Sequence, residues 1–168
     1  METVFLNGTP MHTVGELPKA GAEAPLFALT AQDLSDISLH DYKGKRVVLN
    51  IFPSLDTDTC AASVRRFNKE AAAMENTVVL CVSKDLPFAA ARFCSINGID
   101  NVHTASAFRS DFGNTYGIEL ADGPLRGLFA RALVVIGKDG KVLGTSLCEQ
   151  VAEEPDYDFV KKLLAESV

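Results

Sequence analysis

The eight residues PSLDTDTC, Pro53 to Cys60, carry the chain's most suggestive chemistry. Cys60 follows a proline, two acids and threonines, and directly precedes AASVRRFNKEAAAM, a segment with helical periodicity. A thiol at a helix start meets free backbone N–H groups and the positive end of the helix dipole. That setting can lower a thiol pKa from about 8.5 into the range of roughly 3.5–7.5, and the thiolate is the reactive form. Asp56 and Asp58 act the other way if their carboxylates turn inward. A fixed cation would tip the balance. Arg131 is the candidate, an isolated charge at the head of the apolar run RALVVIG. It reads equally as a solvated charge at a strand end. Thr57 can cap the helix or hydrogen-bond the thiolate or an incoming oxygen. Pro53 fixes the chain as it leaves the preceding strand. Cys60 also has a plainer reading, as a small buried hydrophobe.

Three further cysteines are present, Cys81, Cys94 and Cys148. Cys94 ends the helical segment PFAAARFC and precedes SINGID, which reads as a polar loop. A thiol at a helix end beside a loop could move to meet another, but spacing alone does not establish a disulfide. Cys81, inside TVVLCVS, reads as core, and Cys148 as structural or incidental. There is no CxxC, the usual signature of dithiol exchange. His12, His40 and His103 are scattered, so no metal site is expected.

These residues need elements to hold them. RVVLNIF, residues 46–52, is a continuous apolar run rich in β-branched residues, the pattern of a strand buried on both faces. A helix is expected from Thr59 to Met74, with Val64, Phe67, Ala71 and Met74 on one face and Thr57 or Asp58 as its N-cap. TVVLCVS, 77–83, reads as a second buried strand. Pro87 suits the first turn of a second helix. A short strand is expected over Asn101–Thr104 and a short helix over Asp111–Tyr116. RALVVIG and VLGTSL form a hairpin about Asp139-Gly140. Glu154-Pro155-Asp156 opens a final helix with Phe159, Val160, Leu163 and Leu164 on one face. At the other end, TVFLNG and MHTV read as two short strands about a Gly-Thr-Pro turn, followed by the connector LPKAGAEAPLFAL. SDISLHDYKGK reads as a strand and a single turn ending at Gly44. The order β-α-β-α-(β)-α-β-β-α gives an α/β domain with a central mixed β-sheet flanked by helices. It is compatible with a thioredoxin-like fold with an N-terminal β-hairpin extension. The chain is read as one domain over 1–168, with the hairpin in 1–17.

Composition limits the alternatives. The chain has 168 residues, 47% of them apolar, and a net charge of −6. It is long enough for a sizeable core. An acidic chain with no basic cluster is poorly suited to nucleic acid. No apolar stretch reaches the roughly 20 residues that span a bilayer. METVFLNGTP has neither a basic nor an apolar leader region, so the cytoplasm is the expected compartment.

NIFPSLDTDTCAASVRRFN contains PxxxTxxC and resembles the active-site segment of the peroxiredoxins. It is closer still to the bacterial thiol peroxidases of that family. DLPFAAARFC is similar to their resolving-cysteine helix, ADGPLRGLFARALVVI to their dimer-side loop and arginine-bearing strand, and EPDYD to their C-terminal region. The resemblance covers essentially the whole chain. It implies a thioredoxin-like peroxidase of the atypical two-cysteine type, with Cys60 peroxidatic and Cys94 resolving through an intrachain disulfide. Pro53, Thr57 and Arg131 fall at the other site positions. It also implies hydroperoxide substrates, thioredoxin as reductant, a homodimer, and no metal, haem or flavin cofactor. Asp58 departs from the small residue common at its position. A peroxide-sensing role, with oxidation passed to a partner, and thioredoxin-like exchange are the alternatives.

Overall fold

The computed structural model describes residues 1–167. Two short strands open the chain, β1 (Thr3–Leu6) and β2 (Thr9–His12), paired antiparallel. Their turn is Asn7-Gly8, with φ of 50° and 86°, and not the expected Gly-Thr-Pro. A two-residue hairpin turn of this type needs positive φ at both central positions, and proline cannot adopt it. Pro10 instead lies in β2 opposite Phe5. Val4 and Met11 pack with Leu120, Ala130 and Val151, which fastens the hairpin to the body.

The main sheet has seven strands in the order β4-β3-β7-β6-β5-β8-β9. Next to its middle strand lies β5 (Arg46–Ile51), every residue of which is buried. β5 pairs parallel with β6 (Thr77–Ser83), and β6 with β7 (His103–Ser106). On its other side β5 pairs antiparallel with β8 (Ala132–Ile136), which forms a hairpin with β9 (Val142–Leu147). The strands β3 (Ala28–Thr30) and β4 (Asp36–Ser38) complete the far edge. β3 falls in the segment read as connector. It has three residues and one paired position with β7, Thr30 with Ser106. That is too short for a periodic signal, and its pairing comes from across the sheet.

Four helices cover the sheet: α1 (Asp58–Ala71), α2 (Pro87–Asn97), the short α3 (Phe112–Thr115) and α4 (Tyr157–Glu166). Val48, Phe52, Val64, Phe67, Leu133 and Val160 share the core between the sheet and α1, α2 and α4. Leu49, Ile51, Leu80, Val134, Phe112 and Phe129 share the core on the other face. The alternation of β5 between the two cores explains why its sequence shows no polar face. This is the mixed sheet, helix-flanked, that the element order predicts for a thioredoxin-like fold.

Among the boundaries that differ from expectation, three have a clear local reason. α1 stops at Ala71, because Ala73 and Met74 donate to the carbonyls three residues back, Glu70 and Ala71, and tighten the end. β7 starts two residues late, because Asn68 accepts from the N–H groups of Asp100 and Asn101 and holds them against α1. α2 runs three residues past Cys94, because no breaker occurs before Gly98, which caps it at φ 64°. The amides of Gly98 and Ile99 both donate to the Cys94 carbonyl. Cys94 therefore sits within the last turns of an intact helix, and half of SINGID is helical.

Candidate active site

Pro53 is buried where the chain leaves β5. The chain then turns, and Thr57 enters α1 as its N-cap with extended φ/ψ of −93° and 145°. Its Oγ1 accepts from the Cys60 N–H at 3.2 Å, and its hydroxyl donates to the Ser54 carbonyl at 3.2 Å. Both functions of the hydroxyl are thus used within the loop. Thr57 builds the helix start and does not touch the sulfur in this state. Asp56, Thr57 and Asp58 are all exposed, so the two carboxylates face solvent and not the thiol.

Cys60 is fully buried. The cation it faces is Arg131, just before β8, whose Nη2 lies 3.2 Å from the Cys60 Sγ. Arg131 is itself 1% exposed, which removes the solvated-charge reading. Its Nε donates to the Val151 carbonyl at 2.9 Å, while Nη1 is buried without a partner among the described residues. A buried guanidinium is costly unless paired. Here it offers one donor to the sulfur and holds a second free beside it. Thr59 donates to the Ala152 carbonyl at 3.0 Å, so residues 151–152 grip both Arg131 and the first turn of α1.

Below the helix, Asn50 is a fully buried polar residue on β5. Its Nδ2 lies 3.2 Å from Ser63 Oγ and 3.8 Å from Cys81 Sγ, and Ser63 donates to the Cys60 carbonyl at 2.8 Å. This network steadies Cys60 from beneath. The asparagine inside RVVLNIF is a visible signal of it, since a buried amide in an apolar strand calls for partners; its Nδ2 has them, while its Oδ1 has none among the described residues. Asp85 was also missed; its carboxylate binds the Cys60 loop at Ser54 and Leu55. Three apolar side chains flank the two cysteine segments in sequence: Leu55 is core, Phe93 packs against core and Phe88 is exposed.

Among the described residues, no other thiol is hydrogen-bonded to the Cys60 sulfur or to the Arg131 guanidinium. Burial pushes the Cys94 thiol up, with Thr104 and Gln32 as hydrogen-bond partners pulling the other way. Cys148 lies opposite Arg131 across the hairpin, its N–H donating to the Arg131 carbonyl at 2.9 Å. Burial raises this thiol too, against the pull of the Arg131 charge. Cys81 is pushed up from 9.0 to about 12, chiefly by burial. The sign of the consequence is fixed. The folded state keeps the Cys81 proton where the unfolded state loses it, so this contribution is complete below about pH 9 and is lost as pH rises toward about 12. Stability in reducing buffer is expected to fall above pH 9, by at most about 1.4 kcal/mol per pH unit for this thiol. Denaturant midpoints of the wild type and Cys81→Ala across that range check it. The variant should fall less steeply, and equal slopes would show that Cys81 is not the titrating group.

The Redoxin family profile matches residues 19–160. Thiol peroxidases of Mycobacterium tuberculosis (strain ATCC 25618 / H37Rv) and Mycobacterium bovis are each 56% identical over 158 residues, covering 94% of this chain and 95% of theirs. Among solved structures, a peroxiredoxin-like protein from Aquifex aeolicus superposes with a TM-score of 0.95 at 39% identity, covering 100% of this chain and 98% of its own. A thiol peroxidase from Chromobacterium violaceum gives a TM-score of 0.90 at 22% identity, covering 99% and 98%, a likeness that speaks to the fold. Similarity of this degree over nearly the full length means that the chain belongs to the Redoxin family, among its thiol peroxidases.

Proposed function

We propose that this protein reduces hydroperoxides through Cys60, recycles by an intrachain Cys60–Cys94 disulfide, and is reduced by thioredoxin. The observation that carries the reading is the buried contact between Arg131 Nη2 and Cys60 Sγ, at 3.2 Å. The Cys60 thiolate attacks the terminal oxygen of ROOH, which passes to sulfur as its O–H; the O–O bond breaks, and the departing alkoxide or hydroxide takes a proton from solvent and leaves as alcohol or water. Cys60 becomes a sulfenic acid. Negative charge spreads over sulfur and both peroxide oxygens in the transition state. Arg131 and backbone N–H groups at the start of α1 are the donors aimed at it. Pro53 and Thr57 act by shaping the loop that presents the sulfur.

The Cys94 thiol then condenses with the sulfenic acid, forming the S–S bond and releasing water. Each thiol starts in an intact helix, so the first turn of α1 or the end of α2 must open first. A thioredoxin dithiol attacks the disulfide by exchange and restores both thiols. A reducing cytoplasm is the compartment that suits this cycle, and a homodimer is the assembly expected from the family. The exposed Leu86, Phe88 and Ile96 on and beside α2 support a surface that a second chain covers.

The test is intact mass and non-reducing peptide mapping after one equivalent of cumene hydroperoxide is added to the reduced protein. The expected product is lighter by two hydrogens, with the Cys60 and Cys94 peptides joined. In Cys94→Ser, one rapid oxidation should remain, thioredoxin-driven cycling should be lost, and one oxygen should stay on Cys60. Undiminished cycling in that variant would assign the resolving role to Cys81, Cys148 or an external thiol. No change at Cys60 in the wild type would end the peroxidase reading of this residue.

A further inference from the structure

Asp85 lies in the short connection between β6 and α2, directly before Leu86, the N-cap of α2. Its carboxylate accepts three hydrogen bonds, and two come from the Cys60 loop. Oδ1 accepts from Ser54 Oγ at 2.8 Å, and Oδ2 from the Leu55 N–H at 2.7 Å and from Ser83 Oγ at 2.6 Å. From Ser54 the bonding continues to the thiol-bearing residue. The Ser54 carbonyl accepts from the N–H and the hydroxyl of Thr57, and Thr57 Oγ1 accepts from the Cys60 N–H. Asp85 is anchored in turn: its N–H donates to Ser83 Oγ and its carbonyl accepts from Ser106 Oγ, at the ends of β6 and β7. The Cys60 loop therefore hangs from one carboxylate fixed to the sheet.

We propose that Asp85 is a positioning residue that holds the Cys60 loop in its peroxide-reducing conformation, and that release of its bonds to Ser54 and Leu55 lets the loop open toward Cys94. This rests on the roles given above to Cys60 and Cys94. Hydrogen bonds to an ionised acceptor are the strong kind, and a backbone N–H caught by a carboxylate is well held. Leu55 is 4% exposed, so its amide has no ready substitute partner in water. The same aspartate directly precedes the N-cap of α2, the helix that bears Cys94. One carboxylate thus ties together the starts of both thiol-bearing helices. Loosening it has opposite effects on the two chemical steps. The peroxide step needs the sulfur held against Arg131, and a misplacement of about 1 Å can cost about 100-fold. The disulfide step needs the loop to open, so a weaker latch favours it.

The test follows both steps by stopped flow with cumene hydroperoxide, in wild type, Asp85→Ala and Ser54→Ala. Asp85→Ala is expected to slow oxidation of Cys60 by about 10- to 100-fold, while the first-order disulfide step quickens. The fraction of Cys60 over-oxidised per turnover should fall accordingly. Ser54→Ala keeps the Leu55 bond and should show the same split at smaller size, which keeps the proposal testable if Asp85→Ala does not fold. Both steps slowing together, or neither moving, in the variant that folds would overturn it, because a merely structural role gives no split. A wild type in which Cys60 takes up no oxygen would overturn the assignment of Cys60 and this proposal with it. Oxidation of Cys60 with no split would overturn the role of Asp85 alone.

Discussion

Replacing Cys60 by serine is expected to abolish peroxide reduction. The oxygen of serine is smaller than sulfur, so nothing is overpacked, and Arg131 can still donate to a hydroxyl there, so the buried site at the start of α1 should stay folded. The chemistry, however, has no oxygen counterpart. Attack on an O–O bond needs a polarisable thiolate, present in quantity near neutral pH and able to carry the transferred oxygen as a sulfenic acid. A serine hydroxyl meets neither condition. The decisive measurement is peroxide consumption under single-turnover conditions, with circular dichroism to confirm folding. The expected residual rate is no faster than that of an ordinary thiol in solution. Retained rapid turnover by a folded Cys60→Ser protein would move the reaction to another cysteine. The structure argues against that outcome, since Cys81, Cys94 and Cys148 all have thiols raised by burial.

Arg131→Ala should produce the second-largest effect. Arg131 is the cation facing the Cys60 sulfur, and its Nη1 is a further donor with no partner among the described residues. Donors aimed at developing charge in a water-poor site commonly supply about 2.7–4 kcal/mol each, or about 100- to 1,000-fold in rate. The second-order rate constant for Cys60 oxidation should fall by that order. Stability should change less. The Val151 carbonyl loses a donor and the core gains a hole, but a buried charge that desolvation disfavours is removed at the same time. Rapid-mixing kinetics beside denaturant unfolding separate the two. An unchanged rate with lowered stability would reduce Arg131 to a tie between β8 and residue 151. Arg131→Lys adds a useful contrast, because an ammonium cannot hold Val151 and offer two further directed donors in one plane.

Much of this architecture is legible in the residues. RVVLNIF and TVVLCVS announce the central parallel pair because strands buried on both faces need no polar alternation. Thr57 and Asp156 mark helix starts, because short oxygen-bearing side chains satisfy free N–H groups there. Asp139-Gly140 marks the β8–β9 hairpin. Less legible is what depends on a partner far away in the chain. Nothing local in FALT says strand, since β3 exists through its neighbours β4 and β7. The end of α2 is equally hard to read, because a polar sequence looks like a loop until its first true breaker, Gly98, is reached.

The site divides in the same way. Local sequence is enough to put a cysteine at a helix start after a strand, a proline and a capping threonine, because backbone geometry and capping act over a few residues. It is also enough to mark an out-of-place arginine. Whether that arginine is solvated or buried against the sulfur is a matter of β8 lying beside β5, which brings residues 71 positions apart to 3.2 Å. The outward turn of Asp56 and Asp58 and the employment of the Thr57 hydroxyl in the cap are settled by packing and loop hydrogen bonds. The hold of Asp85 on Ser54 and Leu55, 31 and 30 positions away in the chain, depends likewise on β5 and β6 ending side by side. Short-range propensities choose the elements and the reactive atom. Long-range pairing of strands chooses which charges and donors that atom meets.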